Sequence, residues 1–350
     1  MFQYITEEHR LIADTARRLF EDLSAADTER RQHDQSRLEP EAVGRALGEL
    51  GLFGTDADDA PMRTAQVQAL VAREAGAASL PYPVLETMAA HAVLTRCRPA
   101  PVAAAMTTLP SADREPAQWP ALRNMRLNGD AALVPFAESA DAILLAAQSE
   151  GAPVLVRLSA RDAGIQRCVR TGVEQDYPAY DLRLDDVAAS ELIDTLDDGR
   201  PALTFLQQRC ALLAAAENAG ASRRMVAMAQ EHLLSRSQFG QVLGANQALK
   251  HALADSHVRV EALSTAIDYA AAAADADAED AAASIAAAKH FAGRAGKAVA
   301  DTVLQLHGAI GYTMEYPLHL LMRRVHRLGV CHGATRSQAA RLFEMFQESA

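Results

Sequence analysis

No standard catalytic signature occurs in this sequence. No G-x-S-x-G turn presents a nucleophilic serine, no H-E-x-x-H pairs two imidazoles on a metal, and neither a Walker loop nor a G-x-G-x-x-G follows a strand pattern. His307 and His332 have no neighbouring ligands at metal spacing. The four cysteines, Cys97, Cys168, Cys210 and Cys331, are too scattered for a metal pair or a disulfide framework. The expectation is therefore no metal and a reducing compartment. Two segments are more specific. Arg236-Ser-Gln-Phe-Gly240 is followed by Gln247, Lys250 and Asp255. Leu304-Gln-Leu-His-Gly-Ala-Ile-Gly-Tyr-Thr-Met-Glu-Tyr-Pro317 is followed by His319-Leu-Leu-Met-Arg323. A neutral imidazole such as His332 can accept a proton, its ordinary pKa being about 6.5.

The charge balance excludes several partners. Acids outnumber bases 45 to 34 and the net charge is −11, with no Lys/Arg-rich run. Neither nucleic acid nor an anionic membrane is expected as the main partner. The start, MFQYITEEHR, is polar and unlike a secretory signal. No apolar stretch approaches the roughly 20 residues that span a bilayer. A soluble, acidic, cytoplasmic protein is expected.

The 350 residues, 49% apolar, are enough for one large core or several smaller ones. Three zones differ in texture, and the domains expected from them are 1–100, 101–195 and 196–350. In the first, Thr6 can cap a helix whose first turn carries Glu7 and Glu8, and Leu11, Ile12, Ala16, Leu19, Phe20 and Leu23 recur on one face. A second helix starts at Pro40, presents Val43, Leu47 and Leu50, and stops at Gly51; a third runs from about Thr64 to Ala77. In the middle zone, Ala131–Phe136, Ala142–Ala147, Val154–Leu158, Ile165–Arg170 and Leu182–Val187 are short apolar or alternating runs separated by turn signals, as strands require. The last zone is Ala-rich and helical over Leu203–Ser235 and Gln247–Ala274. A third stripe of Ile285, Ala288, Ala292, Ala295, Val299, Val303 and Leu306 follows. Such small side chains let helix axes approach closely. Asp275–Asp280 reads as a bland, solvated turn. The fold class is α+β: an N-terminal helical domain, a middle β-domain of barrel or sandwich type, and a C-terminal four-helix bundle.

The two specific segments resemble signatures of the acyl-CoA dehydrogenase family, R-x-Q-F-G and Q-x-x-G-G-x-G-[FY]-x-x-E-x-P. Their separation and the Ala-rich helices between them fit too, as do Leu47–Phe53 and Leu70–Gly76 upstream. The resemblance covers nearly the whole chain. It implies an N-terminal helical domain, a middle β-domain and a C-terminal four-helix bundle, assembled as a tetramer. It implies FAD bound between subunits and an acyl-CoA thioester oxidised to the 2-enoyl-CoA. In that reaction a carboxylate removes the α-proton and the β-hydrogen leaves as hydride to the flavin. Carried over, Arg236 approaches the FAD pyrophosphate, where a guanidinium fork fits two oxygens. Gln238 and Phe239 lie along the same cofactor, and Gln305, Gly308 and Ala309 bring backbone close to the FAD of a neighbouring subunit. Ala309 stands where the family has a second glycine.

The departures are as informative. One branch of the family has its base, a Glu, in a Y-E-G-T segment; here Gly329-Val-Cys-His-Gly-Ala-Thr335 puts His332 there. A second branch has a Glu ahead of an Arg on the first bundle helix; here Cys210 and Ala211 stand there. The T-E-P-x-x-G-S-D-like flavin loop has no counterpart in residues 100–130, where Thr107 and Thr108 are the nearest candidates. Three readings follow. The chain is the smaller, non-catalytic subunit of a heteromer, completing the FAD site of a base-bearing homologous subunit that degrades a fatty or steroid acyl-CoA. Alternatively it is an active homotetrameric dehydrogenase with His332 as displaced base, Glu217 being about 10 Å along the helix from the family's position. Or it is a flavin-dependent monooxygenase or a non-enzymatic homologue. Glu217, Arg323 and Arg324 are expected to serve structure, Cys210 and Cys331 packing, and the isolated aromatics Tyr82 and Trp119 core or surface rather than a ligand.

Overall fold

A computed structural model describes residues 5–25, 40–49, 51, 64–97, 106–111, 115–194, 201–238 and 240–348. Leu50, Phe53 and Phe239, named above, lie outside them.

The chain forms helices, then strands, then helices. The N-terminal helices are α1 (Glu7–Ala25), α2 (Pro40–Glu49), α3 (Ala65–Ala78) and α4 (Val84–Cys97). Thr6 caps α1: its Oγ1 accepts from the His9 amide at 3.3 Å, satisfying one of the orphan donors of the first turn. Gly51 takes φ +67 just beyond α2, the left-handed ending that glycine favours.

The middle strands are β1 (Thr107–Thr108), β2 (Ala121–Arg123), β3 (Arg126–Pro135), β4 (Ala142–Ser149), β5 (Ala152–Ser159), β6 (Ile165–Arg170) and β7 (Ala179–Ile193). The pairings β4–β2–β3–β7–β5–β4 return to their starting strand, so the sheet closes on itself; β1 adds to β4 and β6 to β7. Closure leaves those five strands without a free edge along the ring. Val134, Ile143, Leu145, Val156, Leu158, Leu182 and Val187 are buried in it.

The C-terminal helices are α5 (Ala202–Ser235), α6 (Gln247–Asp275), α7 (Ala281–His307), α8 (Leu318–Val330) and α9 (Thr335–Glu348), with a two-stranded hairpin, β8 (Ser237–Gln238) and β9 (Gln241–Val242), after α5. None of the described helices is long and apolar enough to cross a membrane.

Two compact units partition these elements. The first holds Met1–Arg37, Ala65–Leu80 and Ala211–Ala350, and the second Leu38–Thr64 and Pro81–Cys210. In the first, Met225, Ala229 and Leu233 of α5 pack with Val260 of α6, Val299 and Val303 of α7, and Leu321 and Val325 of α8. Alanine and glycine bring α3 and α5 into backbone contact. A β-carbon on Gly76 would lie 1.9 Å from the Glu217 carbonyl oxygen, and one on Gly220 1.7 Å from that of Arg73. The turn after α6 does more than connect. Asp275 accepts from the amides of Ala65 (2.6 Å) and Gln66 (3.0 Å), capping α3 with a carboxylate 209 or more residues away. Asp280 accepts from the Tyr269 hydroxyl at 2.6 Å. Within the second unit, Tyr177 donates to Glu86 Oε2 at 2.7 Å, both groups being buried.

Candidate cofactor-anchoring site

Arg236 stands where α5 gives way to the hairpin. Its amide donates to the His232 carbonyl at 2.9 Å, continuing the last helical turn, and its own carbonyl accepts from the Leu243 amide at 2.8 Å. Gly240 makes the tight turn between β8 and β9 at φ +79, a conformation that costs a side-chain-bearing residue strain. Gln241 and Asn246 tie the hairpin to the start of α6 through a 3.1 Å side-chain hydrogen bond. Arg236 and Gln238 are exposed. No ion pair or side-chain hydrogen bond engages the Arg236 guanidinium among the described residues.

The second segment is built at the end of α7. Gly308 caps that helix at φ +63, with open space where a β-carbon would point, and leads into a 3-10 turn over Gly308–Tyr312. Gly311 serves packing, since a β-carbon there would meet Leu304 Cδ1 at 3.0 Å and His307 Cβ at 3.1 Å. Gln305, Gly308 and Ala309 are exposed, so the Ala309 methyl occupies no interior space.

The two segments are joined by a pair of histidines. The rings of His232 and His307 stack at 4.9 Å with 28° between planes. His307, 4% exposed, donates from Nδ1 to the Val303 carbonyl at 2.8 Å, because a carbonyl can only accept. Its Nε2 is thereby the acceptor for the Tyr316 hydroxyl at 3.1 Å. Burial, His307 and Arg236 together hold His232 below the ordinary histidine pKa. Burial and the nearby Glu231 push the Tyr316 phenol up. No motif marks this cluster: His232 precedes the first signature and Tyr316 sits at a variable place in the second.

The residues at the two family base positions lie apart from this cluster in sequence and in role. His332 follows the end of α8 on left-handed backbone, φ +52, and is 8% exposed; Gly333 follows at φ +97. Three bonds brace their segment. The Lys289 ammonium, 1% exposed, donates to the Leu328 carbonyl at 2.6 Å. Thr335 Oγ1 donates to the Gly329 carbonyl at 3.3 Å, and His290 Nδ1 donates to the Thr335 carbonyl at 2.9 Å. Cys210, in the second unit, is 2% exposed, and burial pushes its thiol well above the usual range, Glu86 adding to the effect. Neither position holds a carboxylate. Thr107 and Thr108 are buried as well, and the Thr108 hydroxyl is committed to the Pro135 carbonyl at 2.6 Å. Glu217 is a structural carboxylate: it takes Arg324 Nη1 at 2.6 Å, inside the first unit. Among the described residues no group of His, Cys, Asp and Glu side chains is arranged to hold a metal ion.

Comparison with known proteins agrees with the motifs. Residues 201–344 match the family model described as acyl-CoA dehydrogenase, C-terminal domain. The chain is 31% identical over 307 residues to acyl-CoA dehydrogenase IpdE2 of Mycobacterium tuberculosis, spanning 85% of this chain and 82% of that one. A shorter match, 35% over 137 residues, spans 39% of this chain and 42% of the Mycolicibacterium smegmatis protein of the same name. Among solved structures, the Tcur3481-Tcur3483 steroid ACAD G363A variant superimposes with a TM-score of 0.86 at 24% identity over 98% of both chains. The ChsE4-ChsE5 complex from Mycobacterium tuberculosis does so with a TM-score of 0.81 at 21% identity, again over 98% of both. Signature segments, the helix–strand–helix order and a relative aligned over most of both chains lead to one conclusion: this chain belongs to the acyl-CoA dehydrogenase family.

Proposed function

We propose that the chain is the non-catalytic subunit of a heteromeric, FAD-dependent acyl-CoA dehydrogenase, completing the flavin site of a homologous subunit that carries the base. The observation that carries this reading is the pair of residues at the family's base positions. His332 and Cys210 are both buried, neither is a carboxylate, and the Cys210 thiol is held protonated by its surroundings. An α-proton of a thioester is weakly acidic, and a neutral thiol cannot remove it. A relative whose name couples two proteins and another described as a complex support the heteromer, and the first is called a steroid enzyme. A fatty or steroid acyl-CoA is accordingly the substrate class, with a tetramer of two chain types as the assembly and the cytoplasm as the compartment. The division into domains at 1–100, 101–195 and 196–350 is part of the same reading, and limited proteolysis checks it.

The residues present fit FAD. An exposed guanidinium without a partner among the described residues, the carboxamides of Gln238 and Gln305, and open backbone at Gly308 and Ala309 are the donors a diphosphate needs. When bound, the flavin accepts the hydride from the acyl chain. Arg236 binds and orients the diphosphate, Gln238 and Phe239 line it, and Gln305, Gly308 and Ala309 approach it across the subunit boundary.

The test is the visible absorption spectrum and solution mass of the purified chain, alone and co-expressed with a homologue bearing a carboxylate at either base position. The chain alone is expected to be colourless and to gain flavin in the mixed complex, whose activity is unchanged by His332→Ala. Stoichiometric flavin and acyl-CoA oxidation by a homotetramer would overturn the reading in favour of His332 as the base.

A further inference from the structure

We infer that binding of a diphosphate at Arg236 is coupled to proton uptake by His232. The inference rests on the cofactor reading above only for the identity of the ligand. Arg236 follows His232 by one helical turn, its amide bonded to the His232 carbonyl at 2.9 Å, so the guanidinium and the imidazole leave α5 from adjacent turns. His307 is stacked on His232 at 4.9 Å, and both of its ring nitrogens are engaged, Nδ1–H by the Val303 carbonyl and Nε2 by the Tyr316 hydroxyl. His232 makes no such commitment among the described residues and is only partly buried. The proton therefore goes to His232.

The charges around it set the sign. From α5, Arg236 opposes protonation of His232; from α7, His307 does the same. Around Tyr316 lie Glu231 and Arg224, themselves paired at 3.2 Å, and His319, whose Nδ1 donates to the Tyr316 carbonyl at 3.1 Å. Two of the three influences that keep His232 neutral are thus burial and the Arg236 charge. A diphosphate on Arg236 cancels that charge and adds a negative one, so the pKa of His232 is higher in the bound state than in the free state. Between those two values binding takes up a proton, and affinity rises as pH falls. Above the bound value and below the free value it is flat.

The experiment is calorimetric titration of the co-expressed complex, freed of flavin, and of the chain alone, with ADP-ribose, a diphosphate diester without the flavin ring, in two buffers of different ionisation enthalpy. A shift of one pKa unit corresponds to about tenfold in affinity. The expected result is about three- to tenfold tighter binding at about pH 5.5 than at about pH 8, with a fraction of a proton taken up between. His232→Asn removes the uptake and leaves the affinity at the higher pH unchanged. Arg236→Gln removes the binding and raises the His232 pKa of the free protein, read from histidine NMR. Tyr316→Phe keeps the uptake. Binding with no proton uptake, uptake that persists in His232→Asn, or no ADP-ribose binding at any pH overturns the inference. A chain that never acquires flavin in any pairing, yet takes up a proton with ADP-ribose, supports it while refuting the flavoprotein reading. Flavin loading of the complex with pH-independent affinity does the reverse.

Discussion

Glu217 Oε1 and Arg324 Nη1 lie 2.6 Å apart with side chains 4% and 1% exposed, an ion pair sealed inside the first unit. Arg324 also donates from Nη2 to the Leu80 carbonyl at 2.9 Å, and Arg327 lies 3.6 Å from the same carboxylate oxygen. One carboxylate thereby ties α5 to α8, and one guanidinium ties α8 to the end of α3. Breaking one side leaves a buried charge without its counterion, which costs about 3–5 kcal/mol. Glu217→Ala and Arg324→Met should each lower unfolding free energy by about that amount in urea denaturation. The double variant should lose less than the sum, since neither charge is then stranded.

The crossing of α3 and α5 depends on two glycines used reciprocally. Gly76 lies against the Glu217 carbonyl and Gly220 against the Arg73 carbonyl, each too close for a methyl group. Gly76→Ala and Gly220→Ala are expected to destabilise by at least about 1–3 kcal/mol, because backbone rather than a movable side chain must yield. Gly151→Ala, where nothing lies within 4 Å, provides the comparison at a positive-φ turn away from any packing. Thermal unfolding of the three variants separates close approach from backbone conformation.

Thiol chemistry should divide the cysteines by burial. Cys168 is exposed, whereas Cys210 and Cys331 are buried, and the Cys210 thiol is pushed up by desolvation. Because the thiolate is the nucleophile, iodoacetamide on the native chain should modify Cys168 first. Cys210 should be alkylated only on unfolding, as peptide mass spectrometry would show. Rapid alkylation of native Cys210 would contradict the burial argued for it.

The depressed pKa of His232 makes a stability prediction of definite sign. In the unfolded chain this imidazole titrates near its ordinary value of about 6.5, and in the fold at a lower pH. The unfolded state therefore binds more protons between those values, and this part of the stability falls as pH drops below about 6.5 until the folded value is passed. The slope of unfolding free energy against pH in that window should be shallower in His232→Asn than in the parent chain.

Much of this fold is legible in the sequence because its causes are local. The Thr6 cap, Pro40 at a helix start and Gly51 beyond the end act within a few residues, and each appears where the pattern placed it. The five short apolar or alternating runs of the middle zone fall on strands β3 to β7, Phe136 alone lying just past the end of β3, because a run bounded by turn signals is a local feature. Burial of Cys210 and Cys331 also follows from their apolar surroundings.

The family signatures fixed membership and named Arg236, Gln238, Gln305, Gly308 and Ala309, since short motifs carry their own backbone requirements. What only the tertiary structure decided involves partners far apart in the chain. Asp275, read as part of a bland turn, caps α3; Gly76 and Gly220 permit one helix crossing; Glu217 neutralises Arg324. The stacking of His232 on His307, which joins the two signature segments, belongs to the same class. Periodicity records the face a residue occupies but not the residue it meets there. Charge pairing, close packing and proton placement depend on that meeting, which exists only once the helices have docked.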